Sequence, residues 1–185
     1  MTEKELFETY QKEIYRTCYY MLRRSADAED VCQEVFITVF RHDWQKVEFL
    51  KTWLIKIAMN HCLNHLKKEN SFILKGRLLW QNATDRAEKP IEDIVEQKET
   101  EVEYVGLLHQ LPVKIRAVMS LRYLNECNLN EIAAILNIPT GTVKSRLNKG
   151  LQMMRKIISA NDYTGGESNE RPGKGRTNVN SVTER

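Results

Sequence analysis

The sequence predicts an all-α protein: two small helical domains joined by a flexible linker. Three observations predict this. Apolar residues recur at helical spacing through residues 5–68 and again from about 107 to 158. Neither Pro nor Gly occurs before Gly76, so nothing breaks the early helices. Between the two patterned stretches, residues 70–104 lose the periodicity and end in a run of acids. The expected organisation is a domain over 1–70, an acidic linker over 71–106, a second domain over 107–158, and a tail over 159–185. The tail has almost no apolar residues and is expected to be disordered.

The first helix is expected over residues 5–24, with Leu6, Phe7, Tyr10, Ile14, Cys18 and Met21 at helical spacing. "SADAED" then starts a second, with Ser25 as N-cap candidate and acids in the first turn, where the helix dipole favours them. From Ala28 the apolar residues fall at 28, 31, 32, 35, 36, 39 and 40, a continuous stripe that specifies one buried face. A loop near "RHDWQKVE" leads to a third helix over about 49–68, with Leu54, Ala58, Cys62 and Leu66 stacked four apart. After the linker, Pro112 is placed for the first turn of a new helix.

The bulk numbers bound the function loosely. The net charge of +3 is too mild to prove a nucleic-acid partner, but its distribution is patterned. Residues 1–40 lean acidic, 41–77 basic and 88–103 acidic, and 140–156 carry cations and no acid. Alternating blocks of this kind suggest separate surfaces for separate partners. No apolar run approaches the ~20 residues needed to cross a bilayer, and "MTEKELFETY" lacks the apolar segment of a signal peptide. The four cysteines, Cys18, Cys32, Cys62 and Cys127, are widely spaced, as expected for reduced cytoplasmic thiols.

The stretch "NLNEIAAILNIPTGTVKSRLNKGLQMMRK", residues 128–156, carries the sharpest chemistry. Asn128 with Glu131 forms a capping box for a short helix, "NIP" breaks it, and Thr140 is the candidate cap of a second helix. Leu129, Ile132, Ala133, Leu136, Ile138, Val143, Leu147, Leu151 and Met154 point inward. Thr142, Ser145, Asn148, Lys149 and Gln152 point out, flanked by Lys144 and Arg146. Such a helix fits the major groove, where hydroxyls and amides read base edges and cations hold phosphates. An ordinary hairpin with a solvated basic face competes, but the acid-free second helix disfavours it.

On the helix over 49–68, Trp53, Lys56, Asn60, Asn64 and Lys67 recur every three or four residues. Aromatic, amide and ammonium groups in one line suit single-stranded DNA. The preceding loop offers Trp44 and Lys46 to an unstacked base. The competing expectation is that Trp53 is core and the lysines solvate the helix. The helix over 27–41 shows Asp27, Glu29, Asp30, Gln33 and Glu34 on its polar side, which suits a basic protein better than DNA.

"DAEDVCQEVFITVF", "FLKTWLIKIAMNHCLNHLKKE" and "LPVKIRAVMSLRYLNECNLNEIAAILNIPTGTVKSRLNKG", in this order, resemble a bacterial RNA polymerase sigma factor of the sigma-70 family. The two-domain build over about residues 6–158 is similar to the extracytoplasmic-function (ECF) group, which keeps only regions 2 and 4. The resemblance implies that Asp27, Asp30, Gln33 and Glu34 meet the clamp coiled coil of the largest polymerase subunit, with Phe36 in the core. It implies that Trp44, Trp53, Lys56, Asn60, Asn64 and Lys67 open and read the −10 element. It implies that Thr140, Thr142, Lys144, Ser145, Arg146, Asn148 and Lys149 read the −35 element, with region 4 near the polymerase flap. The loop "RHDWQKVEFLK" is shorter than is usual in the group. The implied partners are core RNA polymerase, promoter DNA and an anti-sigma factor, often membrane-anchored, which would hold an otherwise cytoplasmic chain inactive. The linker would run through the RNA-exit path, where the acids between Glu88 and Glu103 would mimic RNA.

Other classes fit less well. "HCLNH" sets His61 and His65 four apart around Cys62, half of a zinc site, but no second ligand pair follows, so no metal is expected. No phosphate-binding glycine loop or nucleophile elbow is present, so neither enzymatic activity nor a cofactor is expected. The main alternative is a conventional helix-turn-helix regulator with a sensing or dimerisation domain in front. An anti-sigma or adaptor protein is a third class.

Overall fold

The computed structural model describes residues 1–77 and 99–165. Its α-helices are α1 (Glu3–Leu22), α2 (Ser25–Phe40), α3 (Leu50–Arg77), α4 (Glu99–His109), α5 (Val113–Tyr123), α6 (Leu129–Leu136) and α7 (Thr140–Gly165). A single 3₁₀ turn, Trp44–Lys46, lies between α2 and α3. No strand occurs among the described residues.

The first three helices pack on one another. Thr2 opens α1 with a capping box: its hydroxyl accepts from the Glu5 amide at 3.3 Å and the Glu5 carboxylate accepts from the Thr2 amide at 2.8 Å. Two backbone donors that the helix leaves without partners are thus satisfied. The predicted stripe of α2 is the centre of this unit. Ala28, Val31, Cys32, Val35, Phe36 and Val39 are all buried, and Phe40 is partly so. The Phe36 ring meets Phe7 edge-on at 4.8 Å between centroids. From α3, Leu54, Ile55, Ala58, Met59 and Cys62 close the core. Each large side chain buried here contributes about 1.5–3 kcal/mol.

Several boundaries differ from expectation. Arg24, not Ser25, is the N-cap of α2, because the chain turns at Arg23 (φ 71°) and the Ala28 amide already reaches the Arg24 carbonyl at 3.0 Å. Pro139 plays the same part for α7: its carbonyl accepts from Thr142 and Val143, which makes Thr140 the first helical residue. Pro112 is likewise the N-cap of α5. Helix α3 runs past residue 68 to Arg77, α4 begins at Glu99 inside the expected linker, and α7 passes 158 to reach Gly165. The linker acids over 88–98 and the tail over 166–185 lie outside the described residues.

In the second unit α5, α6 and α7 pack together with α4 at their edge. Gly150 sits where α7 crosses α5. A Cβ there would stand 2.7 Å from the Met119 sulfur and 3.0 Å from Ile115 Cγ2. The two units are docked, not apart: α1 lies against α4 and α5, and α3 lies against α6. The Arg116 guanidinium of α5 donates to the Met21 carbonyl at 2.8 Å, and it also contacts His109 Nδ1. Asn125 donates to the Thr17 hydroxyl at 2.9 Å. Burial, together with the Arg116 and Arg23 charges, pushes His109 down to about 3, so its ring is neutral.

Two outcomes are expected. Gly150→Val should destabilise the fold by about 1–3 kcal/mol through overpacking, read as a lower thermal midpoint, whereas an unchanged midpoint would show that the crossing has slack. The second concerns pH. The folded His109 pKa lies below the ordinary 6.5, so an unfolded chain binds a proton that the folded one refuses. His109 therefore costs no stability above about pH 6.5 and a growing amount as pH falls toward 3. Denaturation midpoints should drop between pH 7 and 5, and His109→Gln should flatten that slope.

Candidate nucleic-acid and polymerase interfaces

Helix α6 is fixed by its cap. The Asn128 side chain accepts from the Asn130 and Glu131 amides at 2.9 and 3.0 Å, and the Glu131 carboxylate accepts from the Asn128 amide at 2.7 Å. Its far end turns through Asn137 in the left-handed region (φ 51°, ψ 53°), a conformation that Asn tolerates better than branched residues. That sharp turn sets α7 across α6. Val143, Leu147, Gly150 and Met154 then point inward at spacings of four, three and four. The outward face follows by default: Lys144, Ser145, Asn148 and Lys149 are exposed, and Thr140, Thr142 and Arg146 are half-buried. The Ser145 hydroxyl donates to the Thr142 carbonyl at 3.0 Å, leaving its lone pairs to accept. A helix about 10–12 Å across, with cations and no acid over 140–156, matches a major groove about 12 Å wide.

On α3 the buried positions likewise decide what is left outside. Lys56, Asn60, Asn64 and Lys67 are exposed in one line, and Trp53 is half-buried at its head, its ring edge-on to His42 at 6.1 Å. The loop before it is arranged differently from expectation. Trp44 is only 6% exposed, so its ring belongs to the core and walls a cavity of about 370 Å³ with Met1, Gln45, Val47 and Leu50. Lys46 is ion-paired with Asp43. The aromatic that stands free is Phe49, at 70% exposure. The sequence carried a signal for it, since Phe49 lies off the stripe through Leu54, Ala58 and Cys62.

The acids of α2 divide into two groups. Asp30 and Gln33 are exposed. Asp27 is held by Arg24 Nε at 3.4 Å and lies 3.8 Å from His65 Nε2, and Glu34 meets His61 Nδ1 at 3.3 Å. The other nitrogen of His61 meets the Thr38 hydroxyl at 3.1 Å. The two histidines of "HCLNH" thus tie the acidic helix α2 to the basic helix α3. Among the described residues no group of three or more His, Cys, Asp or Glu converges as a metal site would. Ile37, half exposed, completes the face of Asp30, Gln33 and Glu34 with an apolar centre that the sequence reading missed.

The thiols are buried. Burial pushes Cys32 up to about 12 and Cys127 up to about 11, and Cys18 is raised by contact with Cys62 and by burial. Protonated, buried thiols are poor nucleophiles.

Comparison with known proteins agrees with this geometry. Residues 6–72 match sigma-70 region 2 and residues 107–156 match sigma-70 region 4. The chain belongs to the sigma-70 family: it is a specificity subunit that gives core RNA polymerase its choice of promoter, not an enzyme. Within that family it is an ECF sigma factor. It is 32% identical over 163 residues to the ECF RNA polymerase sigma factor SigW of Bacillus subtilis, covering 83% of this chain and 87% of the relative. It is 28% identical to SigX of the same organism, covering 82% and 80%. Its fold matches the sigma factor RpoE solved with the anti-sigma factor NepR from Bartonella quintana, with a TM-score of 0.67 over 84% of this chain and 96% of that one, at 16% identity. It also matches CnrH solved with the cytosolic domain of CnrY, with a TM-score of 0.57 over 85% and 88%, at 16% identity. No described helix is long and apolar enough to cross a membrane.

The two kinds of residue on α7 should separate experimentally. Lys144→Ala with Arg146→Ala should weaken promoter binding across all sequences and lower the salt slope by about 2. Asn148→Ala or Ser145→Ala should instead change which −35 sequence is preferred, by about 1–3 kcal/mol per lost base contact. A selection of bound sequences at two salt concentrations reads both effects.

Proposed function

We propose that the chain acts through three surfaces on two domains. Residues 1–70 form the region 2 domain, 71–106 the linker, 107–158 the region 4 domain and 159–185 a tail. The exposed face of α2, with Asp30, Gln33, Glu34 and Ile37 and with Asp27 behind them, docks on the clamp coiled coil of the largest polymerase subunit. The line Trp53, Lys56, Asn60, Asn64 and Lys67, with the loop of Trp44, takes the −10 strand once it is unpaired. The face of Thr140, Thr142, Lys144, Ser145, Arg146, Asn148 and Lys149 reads the −35 element in the major groove. The observation that carries this is a contrast of surfaces: an acidic, partly apolar face on α2 next to the cationic, amide-bearing face of α3, with a second cationic face on α7 in the other unit.

Neither DNA face is large, so each binds weakly alone. Joining them raises apparent affinity by about 10²–10⁴ when both engage at once. Core polymerase supplies the spacing, and melting draws on the binding of unpaired bases, with no nucleotide hydrolysed by this chain. We also propose control by an anti-sigma factor, which would hold the chain at the membrane where that factor is anchored there. The structural likeness to RpoE and CnrH, both solved with anti-sigma partners, supports this.

Reconstitution tests the proposal. The purified chain added to core polymerase and a promoter library should give defined start sites that core alone does not give. Asp30→Ala with Gln33→Ala should lower core association at least tenfold while leaving the −35 preference intact. Association without start-site selection would overturn the proposal.

A further inference from the structure

Three hydrogen-bond contacts meet at the Thr38 hydroxyl and the His61 ring, where α2 packs on α3. The Thr38 hydroxyl donates to the Glu34 carbonyl, one turn back on α2, at 2.8 Å. His61 Nε2 lies 3.1 Å from that hydroxyl, and His61 Nδ1 lies 3.3 Å from Glu34 Oε2. A carbonyl and an ionised carboxylate only accept, so each of the three contacts consumes one proton. The hydroxyl supplies one, a neutral imidazole supplies one more, and an imidazolium supplies two. All three contacts therefore close together only when the ring is doubly protonated. With a neutral ring one of them opens. Glu34 is the member that yields most readily, because its side chain is 65% exposed and turns to water by rotation about its own bonds. The contact of Thr38 with the ring is part-buried.

The other ionisable groups on the helices packed against α3 are engaged elsewhere. On α2, Asp27 is held by Arg24 Nε at 3.4 Å and lies 3.8 Å from His65 Nε2. At the end of α2, His42 Nδ1 is turned to the Thr38 carbonyl at 2.8 Å. On α1, Glu13 pairs with Lys51 at 2.8 Å, and on α6, Glu131 closes the Asn128 cap. On α3 itself, His65 lies one turn from His61, and Lys68 one turn further on is exposed. Glu34 is thus the acid that answers to His61. The fold does not need this link. Exposed ion pairs contribute little to stability, and the buried stripe of α2 already holds that helix in the core.

Its place makes the link consequential. Glu34 stands with Asp30, Gln33 and Ile37 on the outer face of α2. An acidic face draws in a basic partner, and charges at the edge of such a face set the rate of association. An imidazolium beside Glu34 cancels one of these charges and turns the carboxylate inward. Histidine is the side chain whose ordinary charge change falls between about pH 5 and 8. The protons that complete the three contacts therefore come and go in the physiological range.

We propose that His61 is a positioning residue for the docking face of α2 and acts through Glu34: the protonated ring draws the carboxylate back onto α3, and the neutral ring releases it to a basic partner. The proposal rests on the reading above that this face docks on polymerase. Acidification then turns down association with core polymerase while the chain stays folded. His65 has a lesser part, because its acid, Asp27, is already held by Arg24 and its side chain is only 19% exposed.

The test measures the association rate of the full chain with core polymerase at steps from about pH 8 down to about pH 6. Circular dichroism at each pH checks that the chain stays folded. The wild-type rate should fall several-fold over this range, and His61→Gln should remove most of that fall. His65→Gln should leave most of it. Asp30→Ala with Gln33→Ala should lower the rate at every pH and keep the slope. Any titration of the polymerase itself is common to all four chains. A flat wild-type profile, or a His61→Gln profile as steep as the wild type's, would overturn the proposal. Equal flattening by His65→Gln would also overturn it, since the effect would then come from charge on α3 and not from Glu34. An unchanged rate for Asp30→Ala with Gln33→Ala would instead overturn the docking reading, and the proposal with it.

Discussion

Two helical units docked on each other, α1 against α4 and α5 and α3 against α6, cannot reach two distant DNA elements at once. This constraint organises the molecule. Each helix proposed to read DNA needs a face free of acid and rich in amides, hydroxyls and cations, so each must bury its opposite face in its own helical unit. Helix α3 buries Leu54, Ala58 and Cys62 against α1 and α2, and α7 buries Val143, Leu147, Gly150 and Met154 against α5 and α6. Two small cores follow, and with them the need for a tether and for an outside body that sets their separation.

The apolar parts of this design were legible in the sequence. The stripe on α2 and the capping box of Asn128 and Glu131 are where periodicity and cap chemistry place them. Hydrophobic spacing reports a buried face faithfully when that face is apolar. It fails at the seam between the two units, because Thr17, Arg116, Ser120 and Asn125 are buried polar residues, which a count of apolar positions leaves out. Docking of the two units was invisible for that reason. Phe49 and Ile37 fail in the opposite sense: they are apolar residues outside, Phe49 in the turn just before α3 and Ile37 off the stripe of α2. The capped starts of α2, α5, α6 and α7 were legible to within a residue. Helix α1 starts and ends two residues earlier than expected because its Thr2 cap went unrecognised, and Arg77 and Glu99 were much less legible, where no strong breaker marks the boundary.

His61 and His65 show how a suggestive spacing can serve structure. Four apart on α3, they face Glu34, Thr38 and Asp27 across the helix pair. They link the helix proposed to meet polymerase with the helix proposed to meet the melted strand. The cysteines behave similarly. Burial, and for Cys18 first of all its contact with Cys62, keeps Cys18, Cys32 and Cys127 protonated, so they act as small packing residues rather than as sensors.

Hydroxyl-radical footprinting of one promoter, with the free chain and with the reconstituted holoenzyme, tests the central claim most directly. The account predicts protection at both the −35 and −10 elements with holoenzyme, and no joint protection with the free chain at any concentration that still shows sequence preference. Joint protection of both elements by the free chain alone would contradict it, because the chain would then span that distance without the polymerase.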